Sequence, residues 1–268
     1  MRHGTGTWIN DAARRAESII GVHGVRGVKI LVGQLNRIAY HGVRFECPVC
    51  DSRLRRWSFY GHPAHGQRIC PVCRAAARHR YLWYTLTRRG LLPRPGERVL
   101  HVSPEWILER KLRDIVAVED YLSVDLLPGR AMRVMDLTAA DCAGGQFDLA
   151  LGSHVLEHIP EDRAAMRELH RLLRAGGRLL LQVPINRHAR TDEDPSVTSS
   201  VEREARFGQG DHVRVYGLDL AERLREAGFS VDVCDPRLDC APAAYVRHAF
   251  DDDPGRLSQS IVFLCRKA

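Results

Sequence analysis

Four cysteines carry the plainest chemical signal in the chain. Cys47 and Cys50, then Cys70 and Cys73, form two Cys-Pro-x-Cys knuckles separated by nineteen residues. Each knuckle presents two sulfurs from a tight turn. Four thiolates at about 2.3 Å from zinc complete a closed tetrahedron with no position open for catalysis. Such an ion is structural, replacing a core that roughly 30 residues cannot build alone. An iron-tetrathiolate site and redox disulfides are the alternatives the spacing leaves open. His62 and His65 lie between the pairs and are bystanders if all four cysteines ligate. Cys142, Cys234, Cys240 and Cys265 are scattered without a pairing pattern, so no disulfide framework is expected.

The second signal is polar residues at the ends of short apolar runs. One run ends in His101-Val102-Ser103-Pro104-Glu105, the next in Asp125, a third in Asp136-Leu137, and a fourth runs into Ser153-His154-Val155-Leu156-Glu157-His158-Ile159-Pro160. In open parallel sheets, ligands sit beyond the carboxyl ends of the strands, near the point where strand order reverses. A carboxylate at Asp125 could accept hydrogen bonds from both hydroxyls of a ribose. Asp136-Leu137 could hold the edge of an adenine.

These positions need a scaffold, and the hydrophobic pattern supplies one. Strands are expected at Arg98–Val102, Tyr121–Val124, Arg133–Met135, Phe147–Gly152, Arg178–Val183, Phe229–Val233 and Ile261–Cys265. Helices are expected at 76–90, Glu105–Val116, Glu161–Arg174 (stopped by Gly176-Gly177) and Leu218–Ala227. Alternating strands and helices, with strands apolar on both sides, mean an α/β parallel sheet flanked by helices on both faces. The expected division is an amphipathic helical segment at 1–43, a cysteine module with connecting helix at 44–90, a Pro-bearing linker, and a larger domain at 97–268.

Within the larger domain, FDLALGSHVLEHIPED followed by ELHRLLRAGGRLLLQVP resembles the strand-four and strand-five motifs of class I S-adenosylmethionine-dependent methyltransferases. HVSPE, Thr191–Ser196, Glu202-Arg203 and Phe207–Gly217 are similar to a bacterial subfamily with an N-terminal cysteine module. The resemblance covers about residues 44–266. It implies a Rossmann-like sheet of seven strands, six parallel and the last antiparallel, and S-adenosylmethionine at the strand ends. Asp125 would bind the ribose and Asp136 with Leu137 the adenine. The His101–Glu105 turn (His101, Ser103, Pro104, Glu105) would hold the methionine part, and Ser153 with His154 would line the methyl-transfer face. The chain departs from the family in having Val102-Ser103-Pro104-Glu105 where a Gly-x-Gly turn is usual. That puts cofactor affinity at issue.

Methyl transfer from a sulfonium needs an aligned nucleophile relieved of its proton, and histidine is a suitable base near neutral pH. His154, His158 and the Asp211-His212 pair are the candidates. The leading assignment is His212 as base, oriented by Asp211, with Arg214 and Tyr216 touching the acceptor from an insertion over 184–216. The same residues also admit a structural reading, with His158 capping a helix start and Asp211-His212 stiffening the loop.

The chain of 268 residues is 44% hydrophobic and 27% charged, which excludes global disorder. The net charge of +7 is split unevenly: residues 1–96 hold 17 basic and 4 acidic side chains, and the remainder 23 and 29. The basic third could face nucleic acid, an anionic membrane or a phosphorylated substrate, or be simply a solvated surface. Over 14–40, Ile19, Val22, Val25, Val28, Leu31, Leu35 and Ile38 recur at helical spacing among arginines. This segment reads either as a basic helix on a membrane surface or as a helix packed on the rest of the protein. No spanning segment or secretory signal is read, so a cytoplasmic protein is expected, with peripheral contact at the inner membrane face as the variant. The expected activity is methyl transfer to oxygen or nitrogen of a small-molecule or glycosidic acceptor. An RNA methyltransferase gripping nucleic acid through the basic module, and a non-catalytic zinc-ribbon protein, are the competing readings.

Overall fold

The computed structural model describes residues 27, 30–60, 67–250 and 257–268. His62, His65 and most of the segment before residue 30 lie outside the described residues.

The sheet is the one expected. Seven strands run in the order β13-β14-β9-β8-β5-β6-β7, comprising β5 (Val99–Val102), β6 (Tyr121–Asp125), β7 (Arg133–Val134), β8 (Phe147–Ser153), β9 (Leu173–Gln182), β13 (Phe229–Cys234) and β14 (Val262–Lys267). β14 is antiparallel to both neighbours and the other pairings are parallel. The order reverses at β5, so the loop after that strand opens at the switch point where ligands bind.

Strand periodicity sorts side chains onto two cores. Leu100, Leu179, Leu181 and Phe263 face one cluster, whereas Val99, Leu180 and Leu264 face the other. The first is covered by α4 (Asp162–Leu172) and α6 (Leu220–Glu226), through Met166, Leu169, Leu172 and Leu224. The second is covered by α2 (Ala77–Arg88) and α3 (Trp106–Arg113), through Leu82, Leu86, Leu108 and Leu112. The cysteine module belongs to that second core, with Cys47, Val49, Leu54 and Cys70 buried in it. Arg80 of α2 is fully buried, donates to the carbonyls of Ala75, Arg68, His248 and Ala249, and lies 4.3 Å from the Trp57 ring. Module and sheet therefore share their packing.

The module consists of two hairpins, β1 (His41–Cys47) with β2 (Ser52–Leu54) and β3 (Ser58–Tyr60) with β4 (Gln67–Ile69). A helix over 30–39 (α1) lies against it, but not through its apolar stripe. Gly33 meets the knuckle backbone, where a Cβ would stand 2.6 Å from the Val72 carbonyl oxygen. Asn36 donates to the Pro71 carbonyl at 2.8 Å and Arg37 to that of Cys50 at 3.2 Å. Leu31, Leu35 and Ile38 point to solvent. No helix among the described residues is long and apolar enough to cross a membrane.

The insertion is structured. β10 (Ile185–Asn186) and β11 (Asp192–Glu193) flank a buried β12 (Arg214–Gly217) in a small sheet, and α5 (Ser200–Phe207) connects them. Helix α4 also stops at Leu172, before the glycine pair. Gly176, with φ of 73°, turns within the span assigned to β9.

Candidate functional site

A cavity of about 470 Å³ opens at the carboxyl ends of β5, β6 and β8. Ser103, Asp125, Asp136, Leu137, His154, His158 and Asp211 line it, so strand ends far apart in sequence converge on one space. Met135, Leu126, Leu127 and Ile159 make part of its wall apolar.

At one end, Asp125 is fixed by two donors. The Leu127 amide reaches Oδ1 at 2.8 Å and the Ser103 hydroxyl reaches Oδ2 at 2.9 Å. Ser103 stands in the left-handed region, φ 46°, a conformation that costs a non-glycine residue roughly 1 kcal/mol. The turn thus keeps the backbone that a glycine would adopt easily, and the serine side chain braces Asp125. Asp136 holds the Thr138 amide and hydroxyl at 2.8 and 2.7 Å, which lower its pKa.

Behind the turn, Glu105 is largely buried. One of its oxygens accepts from Arg78 at 3.1 Å and from Ser153 at 3.4 Å, and lies 2.7 Å from Nε2 of His79. Burial alone would raise its pKa, but the charges of His79 and Arg78 outweigh that and hold it well below the usual carboxylate range. Its other oxygen, Oε2, is buried without a donor. Such an atom suits a cationic group such as the ammonium of a methionine moiety. α2, the helix that follows the cysteine module, therefore supplies the residues that hold Glu105.

At the far end, His154 follows β8 with φ of 56°, another strained backbone at a cavity wall. Its Nδ1 is 3.2 Å from Oε1 of Glu157, a side chain 1% exposed, and its Nε2 has no partner. His158 Nδ1 lies 3.3 Å from Asp211, and its ring meets that of His212 edge-on at 4.8 Å. His212 is buried, with Nδ1 3.2 Å from the Phe207 carbonyl, and burial lowers its pKa.

Several expected site residues stand elsewhere. His101 does not reach the cavity: its ring is buried in β5, hydrogen-bonded to the Tyr121 hydroxyl at 2.8 Å, and burial lowers its pKa to about 4. Ser153 turns to Glu105, and Pro104, Glu105 and Ser153 all stand behind the lining residues. Arg214 and Tyr216, expected to touch acceptor, are buried in β12. The Arg214 guanidinium donates to the carbonyls of Leu156 (3.1 Å), Ile159 and Pro160 (2.7 Å) and to Glu193 (2.8 Å). The Tyr216 hydroxyl donates to Asp162 at 2.7 Å. Both lock the insertion onto the turn that carries Glu157 and His158. His212 forms part of that seam and is not a lining residue. Glu157, three residues after His154, adds a buried carboxylate that the strand-end pattern alone does not single out.

In the cysteine module, Sγ of Cys47 and Cys73 are 3.6 Å apart, and those of Cys50 and Cys70 are 3.7 Å apart. Bonds of about 2.3 Å from a tetrahedral centre require sulfurs close to that separation. Disulfides need about 2.05 Å. The donor set and spacing fit a single tetrahedral ion.

A family model described as a methyltransferase domain matches residues 76–233, more than half of the chain. No curated protein matches. Among solved structures, the YcgJ protein of Bacillus subtilis is similar at 15% identity and a TM-score of 0.51, covering 70% of this chain and 98% of its own. A protein of Galdieria sulphuraria, provisionally named a sarcosine dimethylglycine methyltransferase, is similar at 14% identity and a TM-score of 0.50, covering 70% of this chain and 84% of its own. An S-adenosylmethionine-dependent methyltransferase of Mesorhizobium loti is 19% identical with a TM-score of 0.49, covering 70% and 98%. At such identities the likeness is one of fold.

Proposed function

The chain belongs to the methyltransferase-domain family, and from that premise we propose that it carries the methyl group of S-adenosylmethionine to an oxygen or nitrogen of a small-molecule or glycosidic acceptor. The observation that carries this reading is the single cavity lined at one end by Asp125 and Asp136 and at the other by His154.

Asp125 keeps lone pairs free beside its two fixed donors, enough to receive a ribose diol. Glu105 Oε2 is set to receive the ammonium, and Asp136 with Leu137 the adenine edge. The cofactor supplies a methyl on a positively charged sulfur, so the protein need only align the acceptor and take its proton. His154 is better placed for that than His212, because its ring lines the cavity, with Glu157 against Nδ1 and Nε2 buried and unpartnered. A carboxylate so placed stabilises the imidazolium that forms.

We further infer that the quartet Cys47, Cys50, Cys70 and Cys73 holds Zn²⁺ in a purely structural role, since its four thiolates fill the coordination sphere. A second reading, RNA as acceptor, rests on one feature of the module. A recess of about 360 Å³ is lined by Phe45, Trp57, Phe59 and Tyr245 with Arg44 and Arg68, the mixture that stacks bases and neutralises phosphates.

Calorimetric titration with S-adenosylhomocysteine tests the first reading. Wild type should bind in the micromolar range, and Asp125→Ala should bind about 100-fold more weakly, as losing two hydrogen bonds to a charged group would produce. A folded wild type that fails to bind would overturn the assignment. His154→Asn should leave that affinity within about threefold while lowering kcat by roughly 10²–10⁴. RNA binding that weakens steeply with salt would favour the second reading, and its absence would remove it.

A further inference from the structure

Beside the cavity lies a cluster that the proposed reaction uses only in part. Glu157, His158 and His212 each bring one ligating atom within 4.8 Å of the others. The first two belong to the 3-10 turn Leu156–His158, and the third to the loop between α5 and β12. The Val213 amide donates to the Glu157 carbonyl at 2.9 Å and ties loop to turn.

Two features make this more than a chance meeting. Neither carboxylate oxygen of Glu157 receives a hydrogen bond, although the side chain is 1% exposed. Nδ1 of His154 stands 3.2 Å from Oε1. A carboxylate withdrawn from water without donors costs several kcal/mol, and an adjacent cation offsets that cost. The imidazoles, moreover, each have a partner at Nδ1. Nδ1 of His212 faces the Phe207 carbonyl and Nδ1 of His158 faces Asp211, so each ring can keep Nε2 unprotonated. Backbone carbonyls and carboxylates commonly orient metal-binding histidines in this way.

We propose that Glu157, His158 and His212 bind a divalent cation beside the cavity, and that its open positions receive an oxygen of the methyl acceptor. Two imidazoles and one carboxylate suit manganese, iron, cobalt or zinc better than calcium or magnesium. Three protein ligands leave positions for water and substrate. His158 lines the same cavity as Asp125, so those positions lie on the acceptor side. The Gln209 amide nitrogen, now 2.8 Å from Nε2 of His212, turns aside or presents its oxygen as the ion enters.

The acceptor assignment rests on the methyl-transfer reading above, whereas the cation site does not. It narrows the acceptor to a hydroxyl, because a bound divalent ion lowers the pKa of a coordinated O–H. The hydroxyl proton passes to Nε2 of His154 and the oxygen attacks the methyl carbon. The carbon–sulfur bond breaks with its electron pair remaining on sulfur. The products are the methyl ether, neutral S-adenosylhomocysteine and the imidazolium of His154.

The test is Mn²⁺ binding to the full zinc-replete chain, followed by the loss of the free-ion paramagnetic resonance signal. Wild type should bind one equivalent, and bound Mn²⁺ should enhance solvent proton relaxation because open positions hold exchanging water. Glu157→Gln and His212→Ala should each weaken binding by at least about tenfold while leaving the zinc content unchanged. His158→Gln, at a more exposed position, gives the same readout if either variant fails to fold. No Mn²⁺ binding at millimolar ion, or variants that bind like wild type, would overturn the site. Bound Mn²⁺ without relaxation enhancement would overturn its role towards acceptor. S-adenosylhomocysteine binding is measured in parallel: its loss with Mn²⁺ retained strikes the methyl-transfer reading alone, and the converse strikes the cation alone.

Discussion

The two ends of the cavity are built on different principles. At the cofactor end, Ser103, Asp125 and Asp136 are placed by strand register: Asp125 is the last paired residue of its strand, and Ser103 and Asp136 stand one and two residues beyond the last pairs of theirs. At the insertion end, His158, Asp211 and His212 are placed by buried polar contacts that reach across the sequence, chiefly those of Arg214. Backbone ladders tolerate side-chain change, because their hydrogen bonds are independent of residue type. A clamp built on one guanidinium does not. The insertion should therefore be the fragile half of the site and the strand ends the robust half.

The largest expected effect follows from removing that clamp. Arg214→Ala leaves the Leu156, Ile159 and Pro160 carbonyls without this donor, while Glu193 keeps Arg223; at about 1–3 kcal/mol for each orphaned buried acceptor, a loss of about 3–5 kcal/mol is expected. Urea unfolding should show a loss of that size, with S-adenosylhomocysteine affinity in the folded fraction changed less than threefold. Arg214→Lys should recover only a minor part, since one ammonium cannot span the directions that a planar fork reaches. If the cofactor affinity collapsed together with stability, the two ends would be one unit and the contrast would fail.

The strand side has its own weak point, and it is set by pH. Burial lowers the His101 pKa to about 4, against about 6.5 for the exposed imidazole. The unfolded chain then takes up a proton below pH 6.5 that the folded chain refuses until about pH 4. His101 thus favours folding fully above 6.5, and that contribution is lost as pH falls towards 4, amounting to about 3 kcal/mol in all. His101→Gln keeps a partner for the Tyr121 hydroxyl without titrating. The difference between variant and wild-type unfolding free energies should therefore drift in the variant's favour from pH 7 to pH 4.5. A parallel pair of curves would mean that His101 is already accessible to protons in the fold.

The same division explains what the sequence made legible. A strand end is a local feature: an apolar run stops, a polar residue follows, and parallel pairing carries that residue to the common edge. Asp125, Asp136 and His154 could be located by that rule. Ser103 could be placed, but its role as a brace depends on a left-handed backbone that only the fold enforces. Arg214 and Tyr216 stand in a polar stretch and look solvent-facing until Leu156, Pro160 and Asp162 are brought against them from over fifty residues away. His212 is buried in the same seam, against the Phe207 carbonyl. Helix 30–39 shows a related inversion. Its apolar spacing was plain, but glycine allows a closer approach than leucine, so Gly33 meets the knuckle and Leu31, Leu35 and Ile38 face outward.

The smallest effect sharpens the comparison most, because it asks whether the cofactor end works by backbone alone. Ser103→Gly removes a left-handed penalty of roughly 1 kcal/mol. It also gives the unfolded chain more freedom, worth about 0.5–1 kcal/mol. The two nearly cancel, so unfolding free energy should move by less than about 0.5 kcal/mol. The substitution also frees Asp125 Oδ2 from the serine hydroxyl, at 2.9 Å, and leaves both oxygens to the ribose. S-adenosylhomocysteine should then bind unchanged or up to about fivefold more tightly, within 1 kcal/mol. A tenfold loss would show that the serine hydroxyl contacts the cofactor or orients Asp125 for it, and that this end too depends on a side chain and not on register alone.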